Sequence, residues 1–337
     1  MKKSGIVIIL LLFLLVCGCV ESVTDEYITS EESFNISVYE YGAKYEMYDY
    51  VLNGGDYRTH YTCYKGINDY LSTEEHTYYI SDVDEIYMEL FENKTNNEYM
   101  SGFIDELDNE FDGDELAKVI ISLVQNIEYD DNKAYVIENI DPYGDYFYPY
   151  ETLYRNIGVC SDKSILMAYI LKELDYDVVL FDYDIANHMA VGIKTNRRYD
   201  YKNTGYAYIE STVPSMITWG SADMGNEIPD IIYLNEGGKG LYNLKEEYND
   251  MKRFNEIDNM PTVIPKDVYN EWVELISKYH IEVSYYLEEE EYNCLEKEHN
   301  DMKRLDEIDA MPEYVSEEIY NEWVALVSKY HLEDNYY

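Results

Sequence analysis

The chain has 337 residues, 46% of them apolar, which is enough to form one large folded domain or two. Its net charge is −44, from 69 acidic and 25 basic residues. Because phosphate groups are bound by clustered lysine and arginine, this imbalance excludes nucleic acid as a partner. The 41 tyrosines are still compatible with a packed core, since a tyrosine ring can be buried while its hydroxyl stays hydrated.

The first nineteen residues predict export. Two lysines precede an apolar run over residues 5–16, which is shorter than the roughly 20 residues of a membrane-spanning helix. The run ends in Val-Cys-Gly-Cys, which resembles a lipobox with Cys19 as the lipidated residue. An uncleaved N-terminal anchor is the alternative. In both cases residues 20–33 are predicted to be a tether, and the protein is expected on the outer face of the cytoplasmic membrane.

Residues 34–110 form a tyrosine-rich N-terminal region. Partial alternation of apolar and polar residues over 34–41 and 76–80 predicts short strands, with a turn at 53–56. The spacing of apolar residues then becomes helical. The next predicted domain, 111–235, shows this spacing at Leu116, Val119, Ile120 and Val124.

A cysteine stands at the start of the next predicted helix. Gly158, Cys160 and Asp162 are followed by apolar residues at helical spacing, so the helix is expected to begin at or just after Cys160. The positive end of the helix dipole and the unpaired N–H groups of a first turn both favour a thiolate. A cysteine in this position is nevertheless more often a buried structural residue, so the pattern needs support from elsewhere in the chain.

Three predicted strands after this helix supply that support. Residues 178–181 are a continuous apolar run, His188 begins a second run, and Glu210 ends a third. A cysteine, a histidine and an acid, in this order on a helix and then on strands, are the parts of a thiol that is activated by a base and oriented by a third group.

These motifs resemble those of the transglutaminase-like superfamily, a papain-like α+β fold in which a helix packs on an antiparallel sheet. The matching residues are Gly158, Cys160 and Asp162 for G-x-C-x-D, His188 and Val191 for H-x-x-V, and Glu210 and Thr212 for acid-x-T. The family usually has aspartate where this chain has Glu210. The resemblance implies that Cys160 is the nucleophile, His188 the general base and acid, and Glu210 the residue that orients His188.

The implied reaction is attack of the thiolate on an amide or ester carbonyl, giving a thioester that water or an amine then releases. The expected substrate is a peptide, protein or cell-envelope amide. For the oxyanion, the Cys160 N–H is the first candidate donor and Gln125 a tentative second. Asp162 is expected to cap the helix or to contact Arg155. The alternative function is a catalytically inactive binding scaffold or adhesin on the cell surface.

No cofactor or metal is expected, because the chain has no C-x-x-C pair and only six histidines. Apart from the two cysteines near the N-terminus, the chain has Cys63, Cys160 and Cys294. Thiols of exported proteins tend to pair. Cys160 is expected to be free, and Cys63 and Cys294 are the candidates for a disulfide.

The C-terminal region, residues 241–337, contains a duplication. Residues 249–280 match residues 300–331 at 20 of 32 positions. Apolar residues at helical spacing flank a tryptophan in each copy, so each copy is predicted to be a helical hairpin in an all-helical extension. His280 and His331 are duplicated with everything around them, which favours a structural role for both.

Overall fold

A computed structural model describes residues 36–74, 83–140, 146–218, 227–235, 237–260, 264–281, 289–311 and 315–330. The predicted signal peptide, the lipidated Cys19, the tether, the strand at 76–80 and His331 lie outside these residues. Over the ranges described, no helix combines the length and the apolar character needed to cross a membrane.

The fold is α+β, as the sequence predicts, and among the described residues two sheets are antiparallel and one short pair of strands is parallel. The described residues form the strands β1 (Ala43–Leu52), β2 (Gly55–Tyr64), β3 (Glu128–Tyr129), β4 (Ile157–Gly158), β5 (Val178–Tyr183), β6 (His188–Lys194), β7 (Tyr206–Ile209) and β8 (Asp230–Tyr233). They form the helices α1 (Lys65–Leu71), α2 (Val83–Glu92), α3 (Lys94–Glu110), α4 (Gly113–Gln125), α5 (Asp131–Asn139), α6 (Pro149–Arg155), α7 (Cys160–Glu173), α8 (Lys245–Asp258), α9 (Lys266–Tyr279), α10 (Glu289–Asp309) and α11 (Glu317–Lys329).

Strands β1 and β2 form an antiparallel hairpin near the start of the described chain. Its turn falls on Asn53 and Gly54, which both have positive φ, so the turn predicted at 53–56 is confirmed. The strand predicted at 34–41 is wrong, because a 3₁₀ helix spans Ile36–Tyr39. This segment packs against α1 instead of forming a strand. The ring of Tyr39 lies 5.0 Å from the ring of Tyr70 in α1.

The central sheet has the strand order β7-β6-β5-β8, and each neighbouring pair is antiparallel. Successive side chains of a strand point to opposite faces. In β5, Val178 and Leu180 therefore join the main core with α7, whereas Val179 and Phe181 pack on the other face in a cluster that contains Tyr208. Because both faces are covered, β5 has the continuous apolar sequence of a buried strand.

The two copies of the repeated sequence make the same internal contacts. In the pair α8–α9, Arg253 binds Glu271 through two hydrogen bonds of 2.8 and 2.7 Å. In the pair α10–α11, Arg304 binds Glu322 through two of 2.9 Å. Bidentate pairs of this kind fix the angle of one helix against the next. The repeated residues therefore encode one local helix pairing twice.

The surroundings of the two copies differ. Trp272 is 5% exposed and packs in a cluster that includes Met216, from the segment after β7. The equivalent Trp323 is only partly buried, and Tyr320 beside it is 54% exposed, against 7% for the equivalent Tyr269. Within the part of the chain that the structure describes, only the first copy buries this aromatic face against the preceding segments.

We expect Trp272→Ala to lower the free energy of unfolding by about 3 kcal/mol or more, because truncation of a buried aromatic side chain leaves a cavity. The matched Trp323→Ala should cost about 1 kcal/mol or less, because that side chain keeps contact with water. Urea denaturation followed by circular dichroism measures both losses. Equal losses would contradict the difference in burial.

Candidate active site

Cys160 is the first residue of α7 and is partly exposed, with a free thiol. The chain reaches it through Gly158, where a Cβ atom would lie 2.9 Å from Cβ of Asp162 and 3.3 Å from Cγ2 of Thr152. Only glycine allows the backbone to pass this close to the first turn of α7. The glycine of the G-x-C motif is therefore needed to place the cysteine.

The first turn of α7 continues with Asp162, Lys163 and Ser164, three polar residues with 0% exposure, which we call the buried polar turn. Asp162 accepts hydrogen bonds from the backbone N–H groups of Val159 (3.1 Å) and Phe147 (2.9 Å). The bond from Val159 confirms the predicted helix cap. Asp162 also forms a salt bridge of 2.8 Å with Lys133.

Arg155, which the sequence offered as the alternative to the cap, binds other groups. The guanidinium of Arg155 binds Glu151 at 3.1 Å and Asn68 at 3.1 Å, and it lies over the ring of Phe147. Lys133 supplies the positive charge that Asp162 needs in a buried position.

Lys163 donates from Nζ to three backbone carbonyls, those of Gln125 (3.1 Å), Ile127 (2.6 Å) and Thr212 (2.7 Å). It therefore ties α7 to the end of α4, to the segment that leads into β3, and to the segment after β7. A buried ammonium needs such partners, because it has lost its hydration shell. The consequence is that Thr212, two residues beyond Glu210, is held against the helix that carries Cys160.

Ser164 completes this set of contacts. Its Oγ donates to the backbone oxygen of Met189 at 3.0 Å and shares a hydrogen bond of 2.8 Å with Oγ of Ser211. Met189 follows His188 in β6, and Ser211 follows Glu210. The buried polar turn thus fixes the backbone beside two of the three predicted catalytic residues.

His188 joins the other two side chains. It is the first residue of β6, directly after the turn that ends at Asn187. Its Nε2 lies 3.0 Å from Oε2 of Glu210, and it lines one cleft together with Cys160, whose thiol helps to raise the pKa of His188. The structure therefore brings Cys160, His188 and Glu210 together, as the sequence predicts.

The carboxylate of Glu210 is 6% exposed and is bound at both oxygens. Oε2 also accepts the hydroxyl of Tyr208 (2.9 Å), while Oε1 accepts the N–H groups of Ser211 (2.9 Å) and Thr212 (3.0 Å) and the hydroxyl of Thr212 (2.8 Å). Burial acts to raise the pKa of Glu210, but the bonds from His188 and Thr212 outweigh it and lower the pKa to about 2. Glutamate in the usual place of aspartate thus reaches the histidine and is held firmly.

The contact with Glu210 also changes the pKa of the His188 imidazole. Burial works to lower the pKa of His188, but the hydrogen bonds with Cys160 and Glu210 outweigh it and raise the pKa to about 10. The imidazolium form is therefore favoured between a thiol on one side and a carboxylate on the other. This is the charge arrangement that activates a cysteine nucleophile.

Gln125 does not fit the tentative oxyanion role. Its Nε2 donates to the backbone oxygens of Glu210 (2.8 Å) and Ser215 (3.2 Å), and it is absent from the wall of the cleft that contains Cys160. Because both amide hydrogens are used by the backbone, Gln125 supports the segment that carries Glu210.

The disulfide considered for Cys63 is also not formed. Cys63 is a free thiol with 0% exposure, 3.6 Å from the hydroxyl of Tyr48, and burial raises the pKa of Cys63 to about 11. Cys63 is therefore an inert core residue, in contrast to the partly exposed Cys160.

Cys160 and His188 open onto a cleft of about 110 Å³. Tyr129 of β3, Tyr146 before α6 and Asp182 of β5 also line it. Sequence reasoning singled out none of these three residues. Two are tyrosines among 41, so nothing distinguished them, but Asp182 had a signal, since it is an acid on the core-facing side of an apolar strand.

Asp182 has an unfavourable environment for a carboxylate. Burial, followed by the negative charges of Asp184 and Asp230, raises the pKa of Asp182 to about 6. Asp230 is its direct partner in the register of β5 and β8. Like charges opposite each other in a sheet are destabilising.

Residues 105–202 match the model of a family described as a transglutaminase-like domain. The match covers 98 of the 337 residues (202 − 105 + 1) and includes Cys160 and His188 but ends before Glu210. No curated protein matches the chain. The resemblance is confirmed over this range, and such a domain is compatible with a cysteine enzyme or with a binding scaffold.

We expect Asp182→Asn to raise the free energy of unfolding at neutral pH by about 1–2 kcal/mol and to leave it unchanged below about pH 4. The pKa of Asp182 is higher in the folded than in the unfolded chain, so its ionisation costs the folded state, and stability falls as the pH rises between about 4 and 6. Asparagine removes that cost. Denaturant titrations across this pH range test it, and no gain at neutral pH would contradict the environment assigned to Asp182.

Proposed function

We propose that the protein is a surface-anchored, transglutaminase-like cysteine enzyme that cleaves or transfers an amide or peptide acyl group through a thioester. The observation that carries the proposal is that His188 hydrogen-bonds Glu210 and lies beside Cys160 in the wall of an open cleft. A binding scaffold would gain nothing from a charged imidazole between a thiol and a buried carboxylate. Export and anchoring rest on the N-terminal sequence alone.

The first step of the proposed reaction is attack by sulfur. Because Nε2 of His188 is engaged by Glu210, Nδ1 is the nitrogen left to take the proton of the Cys160 thiol. The thiolate then forms a C–S bond to the carbonyl carbon, and the electron pair of the C=O π bond moves onto oxygen. Glu210 holds the ring in place and stabilises its positive charge.

The oxyanion needs hydrogen-bond donors. The backbone N–H of Cys160 is the first, because N–H groups in the first turn of a helix have no acceptor within that helix. The hydroxyl of Tyr146 is the second. Tyr146 lines the cleft together with Cys160, and burial raises the pKa of Tyr146, so that its hydroxyl keeps its proton. The Tyr146 proton is then available to the oxyanion.

Collapse of the tetrahedral intermediate completes acylation. The electron pair returns to the carbonyl carbon, the C–N bond breaks, and His188 gives its proton to the leaving amine. Water or a second amine then attacks the thioester, with neutral His188 taking a proton from the attacking group. The thiolate leaves and the starting ion pair is restored.

We expect iodoacetamide to alkylate Cys160 rapidly at mildly acidic pH in the unaltered protein. Glu210→Gln should shift the alkylation profile to higher pH, because the imidazolium loses its carboxylate partner. His188→Ala should shift it further, because the thiolate then loses its adjacent cation. Peptide-resolved mass spectrometry of the full chain in detergent measures the rate at each pH.

Two controls make this measurement specific. Cys63 is an internal standard for folding, since its fully buried thiol should react only after denaturation. His60→Ala, which removes an exposed imidazole from β2, should leave the Cys160 profile unchanged. Slow alkylation of Cys160 at all pH values below about 8, in every variant, would reject the enzyme and leave the scaffold as the better account.

A further inference from the structure

The charged side chains that line the cleft are predominantly acidic. Beyond His188 and Cys160, the described residues that line it include the carboxylates Glu138 and Asp182, with no lysine or arginine among them. Glu138 is exposed on α5, whereas Asp182 is partly buried at the end of β5. A substrate that enters the cleft therefore meets negative charge beside the nucleophile.

The position of Asp182 follows from the alternation of β5. It has the same parity as Val178 and Leu180, which pack into the main core beneath α7, so its carboxylate points to the side of the sheet that carries Cys160. A position of this kind in a buried strand normally takes an apolar residue. Packing therefore gives no reason for an acid here.

Other carboxylates add to the negative potential around Asp182 rather than compensate it. Asp184, Asp230 and Glu227 each raise its pKa. Glu227 is held in place, since its two oxygens accept the backbone N–H groups of Ile185 (2.8 Å) and Ala186 (3.0 Å) in the turn before His188. The negative potential at this end of the cleft therefore includes a carboxylate that the backbone holds in place.

A cation in the cleft would relieve this repulsion. Within the described ranges no three histidine, cysteine, aspartate or glutamate side chains form a group able to hold a metal ion. An organic cation, which needs one or two carboxylates and an open approach, fits the geometry better than a coordinated metal ion does.

We propose that the cleft accepts substrates in which an ammonium or guanidinium group lies next to the carbonyl attacked by Cys160, and that Asp182 is the specificity-determining residue. The inference rests on the proposed function, because it assigns a substrate class to the same nucleophile. Binding of the cation recovers the free energy that the unpaired carboxylate costs the empty cleft.

The test uses small thiol reagents of equal chemistry and different charge on the full chain in detergent at about pH 7.5, where carboxyl groups of this kind are ionised. The reagents are methyl methanethiosulfonate, its 2-(trimethylammonium)ethyl analogue and its 2-sulfonatoethyl analogue. In each case the Cys160 thiolate attacks the thiol-side sulfur, forms a disulfide with the reagent and releases methanesulfinate. The neutral reagent normalises the rates of the two charged ones.

We expect the cationic reagent to react faster than the anionic one, and the ratio of their normalised rates to fall at least about fivefold in Asp182→Asn. The matched control is Asp105→Asn, which removes one exposed charge from α3, outside the cleft. That variant should change the ratio by less than about twofold, because distant surface charges are screened.

The outcomes separate the inference from the proposed function. If Cys160 reacts readily with the neutral reagent but the ratio is the same in Asp182→Asn, the inference is overturned and the enzyme stands. An equal fall in Asp105→Asn would overturn it too, since the preference would then come from overall charge. Protection of Cys160 by millimolar Ca²⁺ or Mg²⁺ would assign the carboxylates to a metal ion instead. A Cys160 that resists even the neutral reagent would reject both proposals.

Discussion

The geometry of the candidate site depends on one buried charge, the ammonium of Lys163. It has no contact with solvent and is held by the carbonyls of Gln125, Ile127 and Thr212. Moving any of these segments away would leave a buried ammonium short of partners, which costs several kcal/mol. Cys160, one turn earlier on the same helix, is thereby tied to the segment that carries Glu210. The residue that fixes this arrangement is therefore outside the catalytic set.

The charged forms of His188 and Glu210 depend on the contacts that this fixed arrangement positions. Burial acts against the charged forms of both His188 and Glu210, since desolvation disfavours the charged form of each. For the carboxylate this is outweighed first by His188 and then by the N–H and hydroxyl of Thr212, and for the imidazole it is outweighed by Cys160 and Glu210. The ion pair is thus stabilised by its own members and by the donors of Thr212, which are placed in advance as in other preorganised sites.

The sequence was sufficient for the α+β class, for α7 and for the order of Cys160, His188 and Glu210, because hydrophobic period and motif spacing act locally. The sequence could not predict the role of a residue where that role depends on the orientation of its side chain. Gln125 stands at the right point of α4, but only the folded backbone shows that its amide turns to the carbonyls after β7. Tyr146 could not be distinguished by composition. Lys163 was not identified because a lysine gives no hint in sequence that it will be buried.

The overall charge of −44 does not by itself determine what enters the cleft. Charges more than about 8 Å apart are largely screened at physiological ionic strength, so most of the acidic surface acts only on the rate of encounter. Asp182 is different, since it lies in the cleft wall and is partly withdrawn from water. Screening is weaker there and the same charge acts on the bound substrate. Selectivity for a cationic group is therefore expected to follow this one carboxylate and not the surface as a whole.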